Sequence, residues 1–292
     1  MSRSLGIIYD RLRWEEKVLL KEAELMGINV NFIDIKSMKL DSQTPEKVIK
    51  EQFGEIILQR CISHIRGLSI TKYLELNGIK VINNYETSES CGNKMNSTII
   101  LEKANIPTPK SIVSFSSEAT IDSIELIGYP AVSKPVIGSW GRLVIPLRNK
   151  ETAKNLMDVR DQNSNPYNQI HYIQEMIDRP PRDIRCIVVG EEIITCVYRY
   201  SPPDEWRTNV AVGGKTEKCP INSELEDIIL KTSKTFGGGI LGIDLMESPK
   251  GIVVNEINPT VEFRGASKVT ETNIPKAIIN YAIKEGDKIN ND

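Results

Sequence analysis

The chain has 292 residues, enough for one large or two modest domains with a full core. Its 37 Lys and Arg against 39 Asp and Glu leave a formal charge of −2, which argues against a general nucleic-acid or membrane-surface binder. With only 2 His, and 5 Cys lacking CxxC or Cys/His spacing, zinc and His-triad chemistry have no foothold.

From the N-terminus, residues 5–9 read as a strand and 14–26 as an amphipathic helix ended by Gly27. Strands are expected at 28–35, 55–59 and 80–83, with a helix over 70–76 that Gly78 breaks. This β-α-β alternation predicts a small parallel sheet with helices on both faces. It lacks a GxGxxG turn, so nothing places a dinucleotide there. His64 and Arg66, beside Gly67, read either as a surface turn or as groups facing a partner's tail.

A helix over 86–104 follows, stopped by Pro107 and Pro109. Strands at 111–115, 131–135 and 142–146 alternate with helices at 117–127 and 151–161, and the polar run 160–168 reads as a mobile loop. Strands at 170–175, 183–189 and 193–199 lead to a hairpin over 240–258. The pattern changes near residue 90 from parallel-type α/β to antiparallel α+β, which sets the domain boundary. Cys186 and Cys196 lie in apolar runs and read as buried thiols. No apolar run nears the roughly 18–20 residues of a transmembrane helix. Charges follow Ile8 at once, unlike a signal peptide, so a cytoplasmic protein is expected.

The hairpin carries the strongest chemistry. Asp244 lies in its first strand, Asn255-Glu256-Ile257-Asn258 closes its second, and a turn over 247–251 joins them. Alternation points Glu256 and Asn258 to one face and Ile257 to the core, and hairpin pairing can bring Asp244 to the same face. Two carboxylates and an amide oxygen suit Mg²⁺; a merely solvated polar face is the alternative. Upstream, Lys134 ends a strand and precedes Gly138-Ser139-Trp140-Gly141-Arg142. Glycines there let backbone N–H groups close over phosphate oxygens, and Lys134 adds a point charge. It is no Walker A loop, and an ordinary hairpin turn is the competing reading, with Trp140 as lid residue or core cap. Gln174-Glu175-Met176-Ile177 runs from strand into linker, Asp183 and Arg185 share a strand face, and Arg199 ends a strand. Arg207-Thr208-Asn209 precedes Gly213-Gly214.

Taken in chain order, CGNK with Lys94, SKPVIGSWGR, QEMI, RDIR, the Arg199 strand, RTN…GG and D…NEIN resemble the RimK-like branch of the ATP-grasp superfamily over nearly the whole chain. Within that branch, IIYDRLRWEEK, QRCIS…RG, KPVIGSWGR and NPTVEFRG are similar to ligases of the LysW carrier-protein pathway of lysine and arginine biosynthesis. The resemblance implies an ATP-grasp fold. A Rossmann-like pre-ATP-grasp domain would span 1–87 and an ATP-grasp domain 88–288. The latter would divide into a central lid subdomain at about 108–173 and a C-terminal metal-binding subdomain at about 174–288.

By the same resemblance Lys94 and Lys134 contact ATP phosphates, and Gly138, Ser139, Trp140, Gly141 and Arg142 form a lid. Gln174, Glu175, Met176 and Ile177 hold adenine, and Asp183 and Arg185 border the nucleotide. Arg199 and Asn209 serve the transferring phosphoryl group, with Lys134, while Asp244, Glu256 and Asn258 hold Mg²⁺. The implied reaction makes an acyl phosphate on the C-terminal glutamate of an acidic LysW-like carrier, which the α-amine of glutamate or α-aminoadipate then attacks. Arg264 is the candidate for the distal carboxylate. Family members taking aminoadipate tend to carry Asn and a small residue where Gly265-Ala266 stands, and glutamate members Gly then Phe; Gly then Ala leans toward glutamate. The resemblance leaves room for a homo-oligomer. A RimK-type protein or peptide glutamate ligase and a non-catalytic ATP-binding module are the alternatives.

Overall fold

Leu5, Ile7 and Ile8 are fully buried on β1 (Ser4–Tyr9), and β3 (Ile56–Gln59) is buried along its length. Strands apolar on both faces belong at the centre of a covered parallel sheet. The computed structural model describes residues 4–162, 169–203, 205–208 and 215–289. In it these two strands are flanked by β2 (Asn29–Asp34) and β4 (Lys80–Ile82), in the parallel order β2-β1-β3-β4.

Every described pairing after residue 90 is antiparallel. One sheet contains β5 (Ser111–Ser114), β6 (Ala131–Pro135), β7 (Ile145–Leu147) and β8 (His171–Glu175), ordered β5-β8-β6-β7. The other contains β9 (Arg182–Val189), β10 (Glu192–Tyr200), β11 (Lys215–Lys218), β12 (Ile240–Ser248) and β13 (Gly251–Asn258), ordered β11-β10-β9-β12-β13. The switch in sheet type expected from sequence is therefore present. No helix among the described residues is long and apolar enough to cross a membrane.

Local differences from the pattern have physical causes. The expected helix over 86–104 is two, α4 (Tyr85–Gly92) and α5 (Lys94–Lys103). Asn93 between them is extended, and its side chain accepts from Met95 N and Asn96 N, so it caps a new helix rather than continuing the old one. The helix expected at 70–76 is α3 (His64–Leu76), which starts after the cap residue Ser63, so His64 and Arg66 sit in its first turn. The strand expected at 142–146 begins only at Ile145, because Trp140, Gly141 and Leu143 hold φ of 61°, 66° and 58°, which no strand accommodates. Of the polar run 160–168, residues 160 and 161 finish α7 (Lys150–Asp161), and 163–168 lie outside the described residues. Cys186 and Cys196, expected as free thiols, pair directly across β9 and β10 with Cα atoms 4.2 Å apart and are joined in a disulfide. Adjacency in the sheet, invisible in sequence, brings them together.

Pattern alone does not anticipate β11 or three helices: α2 (Glu46–Phe53), α8 (Ser223–Thr235) and α9 (Ile274–Ile289). The last has the largest consequence. Ile274, Ile278, Ile279 and Ala282 form one apolar face. That face joins a single core with Leu5, Ile7 and Leu19 of the N-terminal layer and Ile187, Val189 and Ile240 of the five-stranded sheet. Here α1 (Trp14–Leu25) and β3 both touch α9. The C-terminal helix thus fastens the two halves of the chain through a shared core.

Candidate functional site

The hairpin register sets the first part of the site. Asp244 pairs across from Glu256, and Gly242 from Asn258, while Ile257 is 2% exposed in the core. A register shift follows, since Leu245 pairs with Val254 and leaves Asn255 unopposed. Such a bulge re-aims a side chain. The Asn255 carboxamide oxygen accepts from Lys134 Nζ at 2.9 Å, and Gln174 Oε1 accepts from the same ammonium at 2.6 Å. Lys134 is 7% exposed, and burial, only partly opposed by Glu256, lowers its pKa from 10.5 to about 8. Plain alternation turns Asn255 away from the functional face, so its role is one sequence reasoning missed.

Beside the hairpin, β9 and β10 supply charge. Asp183 and Arg185 lie two apart on β9, and Arg199 pairs with Asp183 across β10. The Arg199 guanidinium donates to both Asp183 oxygens, at 2.8 and 2.6 Å, and stands 3.1 Å from Asp244 Oδ2. Thr208 also donates to Asp183. Arg185 grips both oxygens of Asp244 in a two-pronged ion pair. Burial pushes Asp244 up, but Arg185 and Arg199 more than offset it, so its carboxyl titrates below the ordinary range. Arg199 is raised for the converse reason: burial lowers it and Asp244 and Asp183 outweigh that.

A cleft of about 1110 Å³ opens in front of these residues. Its wall includes Lys94, Gly138, Ser139, Trp140, Arg142, Arg185, Arg199, Glu256, Asn258, Arg264 and Gly265. The loop 138–142 is tied down at three points. Lys94 Nζ donates to Gly138 O at 2.9 Å, Trp140 Nε1 to Glu262 Oε1 at 3.1 Å, and Arg207 to Gly141 O at 3.2 Å. Lys94 also stands 3.7 Å from Glu256. Trp140 is therefore bonded to another residue of the cleft wall and does not cap the core.

The four stretches carrying the closer resemblance lie far apart in sequence and meet here. Arg13 donates to Glu262 at 2.9 Å and to Glu16 at 2.7 Å, while Arg60 donates to Glu16 at 3.3 Å and to Val261 O at 2.9 Å. Arg264 N donates to Glu15 at 3.2 Å, and its guanidinium lies 6.0 Å over the Trp14 ring. Glu262 and Glu16, inside these stretches but given no role in the sequence reading, hold this junction together.

Lys134, Gly141, Asp183, Asp244 and the positions expected to hold adenine stand off the cleft wall. Gln174 is 2% exposed and also donates to Tyr172 and Ser111. Glu175 accepts from Lys110 N at 2.7 Å, and Met176 and Ile177 are half-buried after β8. Asn209 and Gly213-Gly214 lie outside the described residues. Ala266, next to Gly265, is on the cleft wall and at 4% exposure also packs into the shared core.

Glu256, Asp244 and Asn258 offer oxygen donors of the hard type that Mg²⁺ takes. No group of three or more His, Cys, Asp or Glu that could hold a metal ion gathers among the described residues; the three side chains offer two carboxylates and an amide. Asn258 Nδ2 donates to Asp244 Oδ2 at 3.4 Å, which puts all three side chains within one small patch. The set fits such an ion in donor type, while both Asp244 oxygens are held by Arg185 and Arg199 stands 3.1 Å from Oδ2.

Comparison with known proteins follows the same division of the chain. Residues 5–90 match the LysX preATP-grasp domain and residues 91–282 the RimK-like ATP-grasp domain. The α-aminoadipate–LysW ligase LysX of Sulfurisphaera tokodaii is 36% identical over 278 residues, covering 94% of this chain and 96% of the relative. The glutamate–LysW ligase ArgX of the same organism is 35% identical over 282 residues, covering 96% and 97%. The crystal structure of a RimK domain ATP-grasp protein from Sphaerobacter thermophilus superposes with a TM-score of 0.80 at 20% identity, covering 96% of this chain and 99% of that one. That likeness speaks for the fold.

Proposed function

Because the chain belongs to the RimK-like ATP-grasp family and carries a LysX-type pre-ATP-grasp domain, we propose that it is an ATP-dependent carboxylate–amine ligase acting on a LysW-type carrier. The γ-phosphoryl of ATP passes to the side-chain carboxylate of the carrier's C-terminal glutamate. The α-amine of glutamate or α-aminoadipate then displaces phosphate to form an amide. The single observation that supports this reading best is the cleft itself, where Lys94, Arg185 and Arg199 stand beside Asp244, Glu256 and Asn258 under a latched glycine loop.

Phosphoryl transfer asks a protein mainly for positioning and charge stabilisation. Lys134 and Lys94 suit the phosphates of ATP, and Arg199, fixed by two carboxylates, offers a cation that cannot swing away. Magnesium held by Asp244, Glu256 and Asn258 would offset charge on phosphate oxygens. The Trp140–Glu262 contact keeps water from the mixed anhydride, which water would otherwise hydrolyse. Consumption of ATP fits a cytoplasmic enzyme.

The test is incubation with ATP, MgCl₂, a LysW carrier ending in glutamate, and either amino acid. Intact-mass analysis should show one amino acid added per carrier with equivalent ADP release. ADP that stays at background with both amino acids would remove the ligase reading. Choice between the two substrates, one methylene apart, is worth only about 1–3 kcal/mol in an apolar pocket. It therefore falls to the polar segment at Arg264-Gly265, on the cleft wall, and we place the lean with glutamate. Exchange of Gly265→Asn should move kcat/KM toward α-aminoadipate; an unchanged ratio would refute that assignment.

A further inference from the structure

One imidazole lies on the cleft wall. His64 opens α3, and the turn before it is fixed, since Ile62 N and Ser63 N donate to the buried Asp10 carboxylate at 2.8 and 3.2 Å. The imidazole packs against Gly92, at the turn between α4 and α5. A Cβ at Gly92 would fall 2.2 Å from its Cε1 and 2.4 Å from its Nδ1, but 3.2 Å from its Nε2. Gly92 thus makes room for the ring, and Nε2 is the nitrogen farther from that turn. Among the described residues no hydrogen bond or ion pair engages the imidazole.

The other bases of the cleft wall are occupied or protonated. Glu15 accepts from Arg264 N, Glu256 pairs with Lys94, and Glu262 takes Arg13 and Trp140. Burial pushes the thiols of Cys61 and Cys91 well up. We propose that His64 is the general base of the ligation, taking a proton from the incoming ammonium group through Nε2. The assignment rests on the ligase reading and adds the residue that reading lacks.

The step balances. The ammonium gives one proton to the imidazole, and the freed amine attacks the acyl carbonyl. The C–O bond to phosphate breaks as the C–N bond forms, the second nitrogen proton leaves with the phosphate, and His64 returns its proton to solvent. Burial first, and Lys94 second, hold His64 below the ordinary histidine range, so it is neutral and receptive near neutral pH. Lys94 is the charge facing it from α5. On α4, Glu89 is taken by Asn96, and Asp10 also pairs with Arg66 on the histidine's own helix.

The experiment compares two nucleophiles on the same enzyme with ATP, MgCl₂ and the LysW carrier. Hydroxylamine is uncharged at neutral pH and needs no base, whereas an amino acid arrives protonated. In His64→Gln, hydroxamate formation should stay within about twofold of the parent. Amide formation should fall by roughly 100-fold or more, and the acid limb of its pH profile should disappear. His64→Asn is the second variant, should the longer Gln disturb the contact with Gly92. Equal loss of both products in both variants would make His64 structural and overturn the proposal, as would full amide formation in either. Parent enzyme that forms no hydroxamate would instead strike the ligase reading, and the role of His64 with it.

Discussion

The latch over the cleft mouth gives the sharpest quantitative test. Trp140 Nε1 donates to Glu262 Oε1 at 3.1 Å, and Arg13 holds the same oxygen at 2.9 Å. A hydrogen bond to a charged group contributes about 1.5–3 kcal/mol when well shielded. The Glu262 side chain is 38% exposed, so solvent screening reduces this to about 1 kcal/mol. That is roughly fivefold in the ratio of latched to open loop. Trp140→Phe keeps the ring and removes only the N–H, so ADP release without amide formation should rise roughly fivefold relative to productive turnover. Glu262→Met, which removes the acceptor, should raise it at least as much, because Arg13 also loses one of its two carboxylates. The double variant should then be no worse than Glu262→Met alone, giving a coupling energy of about 1 kcal/mol. Uncoupled and coupled ADP release, measured side by side with carrier and glutamate, decide the matter. Effects that simply multiply would show that the two side chains act independently and that no latch exists.

Three further outcomes follow from burial and charge. The folded pKa of Lys134, about 8, lies below its ordinary 10.5. Within that window the unfolded chain binds the extra proton, so this group's contribution to stability grows as pH rises. Its charge is lost over the same range, so kcat/KM for ATP should fall through about pH 8, and Lys134→Arg should flatten that limb; an unchanged limb would free Lys134 of the role. Removing Arg199, 6% exposed, as Arg199→Met leaves Asp183 with Thr208 and only the charge of Arg179 nearby, and should cost about 3–5 kcal/mol in urea unfolding. Adding Asp183→Asn should recover part of the loss, and no recovery would refute the pairing argument. Gly92→Ala places a methyl group 2.2 Å from the His64 ring and should cost about 1–3 kcal/mol, measured by thermal unfolding. A neutral result would mean that the ring does not rest on Gly92.

Much of the architecture is legible because period and punctuation are local. Residues 131–135 and 117–127 form the expected strand and helix with the same ends, since Ser116 and Gly128 bracket the helix and Pro130 and Pro135 the strand. Failures occur where one side chain competes for the backbone. Asn93 offers its own carboxamide to Met95 and Asn96 and splits a helix that periodicity runs through. On α9, the apolar positions 274, 278 and 282 carry a helical spacing that could have found it, yet its meaning lies in what it packs against, the first strands of the chain.

The site divides in the same way. Residue types in chain order settle the family, because a lysine at a strand end, a glycine loop and an acidic hairpin each demand particular chemistry at particular spacings. They also settle that Glu256 and Asn258 share a face, since a strand repeats every two residues. Only the folded chain decides that Arg185 clasps Asp244, that Asn255 bulges out to meet Lys134, and that Arg13, Arg60, Trp140 and Glu262 close one junction. Those pairings depend on register and on the approach of distant segments. Neither leaves a trace in local pattern, because cross-strand partners are chosen by the packing of whole sheets.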